Sequence, residues 1–353
     1  MYRNTYVEVN LDNISSNVSK IISKYNNYDY YFGVVKADSY GHYSNKVVRS
    51  VIVGGCNYLA VSSLEEALTI REEIRDIPIL VLGIVDVEFI DVCIKNRITI
   101  TISSKEYVEM LVYYPDVAGL KVHLKVNSGM NRLGFNNTED FLFSYNTLLD
   151  NNIIVEGIYS HIYDPLNEEN TNKQISLFKE FVDLVKVDIV HLFASDALLK
   201  YDKVDFCNGV RLGIAMYGLQ EVDGIELDNT FKLVSEVIQI NENITGTLGY
   251  GGTYDIKPGD RIAIIPIGYA DGYIRKNKGN YVYINDNKYQ IVGNICMDMS
   301  FVLVDSNVKV WDKVYLIKDN EHLREIAKYL DTIPYEVICL ISKRVERRYI
   351  GGK

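Results

Sequence analysis

Short apolar, β-branched runs recur along the first two-thirds of the chain, at 30–35, 58–61, 78–83, 98–102, 120–126, 153–159, 189–194 and 210–217. Segments with helical spacing lie between most of them. Residues 63–74 (SLEEALTIREEI) open on Ser63 and carry Glu66 three positions on, a capping-box pattern. Residues 171–185 set Ile175, Phe178, Phe181, Val182 and Val185 on one face. Eight strands alternating with helices over about 220 residues predict an α/β chain, a (β/α)8 TIM barrel with a parallel sheet. The alternative is a doubly wound sheet. No GxGxxG follows an early strand, so a dinucleotide site has no support.

From about residue 230 the pattern changes to turn-punctuated strands such as KPGDRIAIIPIGYADG and YVYINDNKYQIVG. Pro258-Gly259-Asp260 and Asn285-Asp286-Asn287 are turn signals between alternating runs. This predicts a barrel at 11–229 followed by a mostly β C-terminal domain at 230–353, in which only 321–330 reads as a helix.

Composition narrows the function classes. The chain has 353 residues, 37 Lys+Arg against 47 Asp+Glu, and a formal net charge of −10. That charge offers no general attraction to a phosphate backbone, so nucleic acid is not expected as a partner. No apolar run reaches the roughly 18 residues of a membrane span, and MYRNTYVEVN lacks the apolar core of a signal peptide. The five cysteines are scattered and never form a CxxC, so neither a disulfide framework nor a metal site is expected. The expectation is a soluble, cytoplasmic protein. With 28 tyrosines a lone tyrosine carries little weight, whereas each of only five histidines carries more.

On a barrel of this kind, chemistry sits at the C-terminal ends of the strands. The first predicted strand ends at Lys36, the fifth runs into Arg132, the sixth ends at His161, the seventh at Ser195, and the eighth carries Arg211. Cationic and donor groups with almost no carboxylate among them suit an anionic ligand. Ser195 and Gly213 follow the seventh and eighth strands, a common phosphate position on this fold. An amine nucleophile beside a phosphate site has one leading interpretation, a pyridoxal phosphate Schiff base.

The strings VVKADSYGH (34–42), GMNRLG (129–134), VRLGIAMYG (210–218), GYADGY (268–273), CMD (296–298) and YEV (335–337) resemble, in order and spacing, those of the alanine racemases. The resemblance spans essentially the whole chain. It implies a fold-type III pyridoxal-phosphate enzyme interconverting L- and D-alanine and supplying D-alanine for peptidoglycan. It further implies that residues 1–10 join the β domain. The expected assembly is a head-to-tail homodimer whose active sites are each completed by the partner's β domain.

The same resemblance implies roles. Lys36 and Tyr250 are the two acid/base groups, Lys36 also holding the cofactor. A tyrosine is a poor base at neutral pH unless donors stabilise its phenolate; a chain from Tyr250 through His161 to Arg211 supplies them. Arg211 faces the pyridine nitrogen and, never giving up its proton, leaves that nitrogen unprotonated. Tyr40, Ser195, Tyr335 and the amides of Gly213 and Ile214 hold the phosphate. Arg132 meets the phenolic oxygen and the substrate carboxylate, the Met297 amide assists, and Tyr269 and Asp298 shape the entrance. Lys125 matches a lysine that is often carbamylated.

Three positions depart from the family pattern: Asn127-Ser128 stand for Asp-Thr, Ala194-Ser195-Asp196 for Asn-Ser-Ala, and Ile333-Pro334-Tyr335 for Ile-Asn-Tyr. The competing readings are a serine or broad-specificity racemase and a non-catalytic pyridoxal-phosphate-binding protein. Tyr335 should crowd a hydroxymethyl side chain, and the Tyr250 motif argues against a protein without catalysis.

Overall fold

In a computed structural model, described over residues 3–352, eight parallel strands close into a barrel. They are Tyr30–Val34, Tyr58–Val61, Ile79–Val81, Ile98–Ile102, Lys121–Lys125, Ile154–Tyr159, Ile189–Ala194 and Gly209–Leu212. The first strand pairs with both the second (Phe32 opposite Tyr58) and the eighth (Tyr31 opposite Val210), which completes the closure. The second and fourth strands are buried along their whole length, as expected for strands wrapped by helices outside and filled by side chains within.

Several of the surrounding helices begin where the sequence supplies a side-chain acceptor. Asn10, Ser104, Asn137 and Asn167 accept from backbone N–H groups at the starts of Leu11–Lys24, Lys105–Val112, Thr138–Asp150 and Glu168–Val182. In the first of these, Leu11, Ile14, Val18 and Ile21 form the buried stripe.

Three details differ from the sequence reading. The eighth strand stops at Leu212, because Gly213 turns the chain into a 3-10 turn at Ile214–Tyr217. The predicted helix at 63–74 runs Leu64–Arg71 with Ser63 as N-cap, but the Glu66 carboxylate accepts from Ser62 rather than closing the box on Ser63. The β domain holds a second helix, Pro334–Leu340, beside Asn320–Leu330. Its signal was Pro334, whose fixed φ and missing N–H suit the first helical position.

The rest of the chain forms one nine-stranded sheet. Its order is Gln239–Asn241, Arg261–Ile265, Ser300–Val304, Asn287–Val292, Tyr281–Ile284, Lys313–Ile317, Phe231–Glu236, Tyr6–Asn10 and Glu346–Ile350. Tyr6–Asn10 is antiparallel to Phe231–Glu236 and parallel to Glu346–Ile350, so this early segment lies within the C-terminal sheet.

A buried carboxylate fixes the turn that follows Arg261–Ile265. Asp271 is inaccessible to solvent, receives both arms of Arg3 at 2.8 and 3.0 Å, and accepts from the Gly268 N–H. Removing one partner of such a pair leaves the other charge uncompensated. Asp271→Ala should cost roughly 3 kcal/mol of unfolding free energy in urea titration.

Candidate active site

Lys36 begins directly after the first barrel strand, and the chain there does something unusual for L-residues. Ala37, Asp38, Ser39 and Tyr40 all take φ between 51° and 55°, a left-handed turn without a glycine. Such backbone costs roughly 1–2 kcal/mol per residue and needs outside support. The Ala37 N–H donates to Glu66 at 2.6 Å, the Gly41 N–H to Ala37, and the Tyr43 N–H to Asp38. His42, wholly buried, closes on the carbonyl of Ser39 and on the Thr230 hydroxyl. Burial, then the positive charges of Arg132 and Arg211, hold the Lys36 amine below the ordinary lysine range, against the pull of Glu66. A lysine poised to shed its proton is one able to act as nucleophile and base.

The turn carries Tyr40 to the ends of the seventh and eighth strands. The Gly213 N–H donates to Ser195 Oγ at 3.0 Å. A Cβ on Gly213 would stand 3.2 Å from Tyr40 Oη and 3.8 Å from Ser195 Oγ, so the missing side chain opens a small cradle between two hydroxyls. The Ile214 N–H opens the following 3-10 turn and is not used within it. Tyr335, second residue of Pro334–Leu340, sets its ring edge-on to Tyr40 at 6.5 Å. Hydroxyls and free amides around a cradle too small for a side chain fit a phosphate group, and a half-buried amine lies on the adjacent strand end. These residues fit pyridoxal phosphate. Asp196, a departure from the family pattern, adds a negative charge that raises the Tyr40 and Tyr335 hydroxyls, after burial and, for Tyr40, after Cys339 and Tyr335.

Arg132 stands exposed on the loop after the fifth strand, and Asn127 organises that loop. Its Oδ1 accepts from the N–H groups of Gly129 and Asn131, and its Nδ2 donates to Asn131 and Asn136. An aspartate could make the first pair of bonds but not the second. Ser128 bonds Ser160 Oγ at 2.7 Å and receives Gln174. Lys125 is buried, its ammonium 4.7 Å from the centre of the Tyr159 ring. Burial, then Arg211 and Arg132, hold that amine well below its usual range.

Arg211 is buried, and all its acceptors are carbonyls or imidazoles. Nη1 donates to His191 Nδ1 at 2.8 Å, and Nη2 to the carbonyls of Ser160 and Leu192 and to His161 Nδ1 at 3.1 Å. Burial lowers the guanidinium to about 10, still charged at neutral pH. Burial, then Arg211, Lys125, Arg132 and Lys36, push His161 down to about 2. With Nδ1 accepting, the neutral ring carries its hydrogen on Nε2.

Lys36, Tyr40, Lys125, Arg132, His161, Ser195, Arg211, Gly213, Ile214 and Tyr335 thus gather at one end of the barrel. Tyr250, Tyr269, Met297 and Asp298 sit together elsewhere, on the β domain. The Tyr269 and Ala270 N–H groups bond the carbonyls of Cys296 and Met297, Asp298 pairs with Arg344 at 2.7 Å, and Asn294 holds the Tyr250 carbonyl. The Tyr250 side chain is 76% exposed. Arg211 is linked to His161 within the chain, and Tyr250 is not joined to them there. Sequence reasoning missed Glu66, whose capping-box position was the only clue. It also missed Cys339, near enough to Lys36 and Tyr40 to influence both.

Comparisons with known proteins agree with this arrangement. The family descriptions "Alanine racemase, N-terminal domain" and "Alanine racemase, C-terminal domain" match residues 9–221 and 230–349. The alanine racemases of Staphylococcus epidermidis and Halalkalibacterium halodurans are each 34% identical over 99% of this chain and 95% of their own. The crystal structure of the Bacillus anthracis alanine racemase with bound L-Ala-P superposes with a TM-score of 0.94 at 33% identity. It covers 100% of this chain and 97% of that one. A barrel with a lysine and phosphate cradle at its rim, joined to this β domain, defines a pyridoxal-phosphate-dependent isomerase. The chain belongs to the alanine racemase family, and its reaction is the interconversion of L- and D-alanine.

The buried histidines give the fold a pH dependence. His42 titrates near 4 by burial, and His123 and His191 are likewise lowered, all from 6.5. The unfolded chain therefore binds protons that the folded chain refuses, and stability falls as pH drops below 6.5. Glu156, held at about 2 against 4.5, acts in the same direction at lower pH: its contribution is present above 4.5 and is lost on the way to 2. Urea unfolding of cofactor-free protein should show stability falling by at least about 1.4 kcal/mol per pH unit as pH drops below about 6.

Proposed function

We propose that the two proton transfers of this racemisation are made by Lys36 Nζ on one face of the α-carbon and Tyr250 Oη on the other. Tyr250 comes from a second copy of the chain. The observation that carries this reading is the exposure of Tyr250, away from a rim that already holds Lys36, His161 and Arg211. The assembly is a head-to-tail homodimer. The barrel (11–229) of one protomer faces the β domain (230–353, with 1–10) of the other.

Bound pyridoxal phosphate supplies the electron sink that makes the α-proton removable. Tyr40, Ser195, Tyr335 and the amides of Gly213 and Ile214 hold its phosphate. Arg211 faces the pyridine nitrogen and, as a permanent donor, leaves that nitrogen unprotonated. His161 accepts from Arg211 on Nδ1 and so presents Nε2–H to Tyr250 Oη, which stabilises the phenolate form. Arg132 meets the phenolic oxygen and the substrate carboxylate, with the Met297 amide of the second copy beside it. Tyr269 and Asp298 narrow the entrance, and Tyr335 limits the side chain to a methyl. The enzyme is cytoplasmic and supplies D-alanine for peptidoglycan.

Lys125 is carbamylated in this reading. Its buried, easily deprotonated amine is the form that attacks carbon dioxide, and the resulting carbamate would place a negative charge between Arg132 and Arg211.

Both readings have direct tests. Tyr250→Phe keeps Lys36 and should lower racemisation by about a hundredfold to ten-thousandfold. In D2O it should still exchange the α-proton of one alanine enantiomer but not the other; equal exchange of both would reject the assignment. Protein equilibrated with 13C-bicarbonate should show a carbamate carbon by NMR that disappears in Lys125→Met.

A further inference from the structure

The inside of a (β/α)8 barrel is ordinarily filled by branched aliphatic side chains. Here a row of polar groups runs along it instead. Arg211 Nη1 meets His191 Nδ1 at 2.8 Å, His191 Nε2 meets His123 Nδ1 at 2.9 Å, and His123 Nε2 lies 3.5 Å from Glu156 Oε2. Both imidazoles are wholly buried. The His191 ring is sandwiched between Phe32 and Tyr159, with centroids at 4.4 and 4.7 Å and planes within 16° and 8° of parallel. The far end opens towards solvent: Glu156 takes Lys121 at 2.6 Å on one oxygen and the Tyr58 hydroxyl at 2.8 Å on the other.

We propose that Glu156 is a positioning residue for Arg211. It acts through His123 and His191, each held as the neutral tautomer with its hydrogen on Nε2. The proton order follows from either end. An arginine can only donate, so His191 Nδ1 must accept and its hydrogen sits on Nε2. That hydrogen requires a lone pair on His123 Nδ1, so the His123 hydrogen also sits on Nε2, facing the carboxylate. An ionised carboxylate can only accept, which gives the same order read backwards. The direction is single along the row: the bonds from Arg211 to His191 and from His191 to His123 polarise one another, and the His123 Nε2–H meets the Glu156 charge across 3.5 Å without a hydrogen bond. Arg211 thereby receives a fixed acceptor and the influence of a distant negative charge, while among the described residues its bonds go to carbonyls and imidazoles and to no carboxylate.

Two local features place Glu156 in the row. The pairing of the fifth and sixth strands slips between Val122 and His123, so that Val122 faces Val155 while His123 faces Gly157 and Glu156 is the extra residue. Bulges of this kind re-aim a side chain. Beside it, a Cβ on Gly157 would stand 2.6 Å from the His123 ring, so the glycine is what lets the imidazole lie against the strand.

The role towards the cofactor rests on the placement of Arg211 given above, whereas the proton order does not. 15N-histidine NMR of the cofactor-free protein therefore separates the two. In the wild type, His123 and His191 should both show unprotonated Nδ1 and protonated Nε2; a protonated Nδ1 or an imidazolium in either would overturn the proposal. In Glu156→Gln, Lys121 should claim the amide oxygen and turn the NH2 towards His123. The His123 and His191 signals should then shift and broaden while those of His42 and His322, outside the row, stay as reporters of folding. Binding of pyridoxal phosphate should weaken on the order of tenfold. Gly157→Ala, which keeps the carboxylate but displaces His123, should produce the same change at His191 and the same loss of affinity. Unchanged His191 signals and unchanged affinity in either folded variant would show that Glu156 is structural only.

Discussion

A buried arginine with no carboxylate beside it must find its acceptors elsewhere, and much of this barrel is arranged around that demand. Arg211 is satisfied by three backbone carbonyls and two imidazoles drawn from the ends and interior of the sixth and seventh strands. Those imidazoles cannot be charged beside it, so burial and proximity keep them neutral. Neutrality then decides which nitrogen donates. One permanent cation thus orders protons at the rim, through His161, and along the barrel axis, through His191.

The second constraint is the left-handed turn after Lys36. Four L-residues in that conformation are costly, and the supports come from three parts of the chain: Glu66 from the helix that follows the second strand, Thr230 from the start of the β domain, and backbone bonds within the turn. The turn in turn delivers Tyr40 to Ser195 and Gly213 and lays Gly41 against Pro334–Leu340, which brings Tyr335 in from the β domain. Strain at the amine is therefore tied to both the phosphate cradle and the docking of the two parts of the chain.

Much of this was legible in the sequence. Each of the eight barrel strands showed as a short apolar run, and the rim residues fell at their ends because barrel geometry puts them there. The extra length assigned to the eighth strand and the missed helix at Pro334–Leu340 have a common cause: apolar residues in a 3-10 turn or a seven-residue helix have no period long enough to read. Glu66 looked like a local cap because its partner, the Ala37 N–H, is 29 positions away. The row from Glu156 to Arg211 was invisible for a similar reason. His123, Glu156, His191 and Arg211 come from four strands, and only the closing of the barrel and the slip beside Gly157 align them.

If each active site takes Lys36 from one copy of the chain and Tyr250 from another, complementation between variants will show it. Lys36→Ala and Tyr250→Phe chains, each inactive as a homodimer, would be co-expressed with different tags and the mixed dimer isolated. If Lys36 and Tyr250 meet across the interface, one of the two sites in that dimer is wholly native, and about half the wild-type activity should return. If the mixed dimer stays as inactive as its parents, both groups act within one protomer and no site is shared between copies.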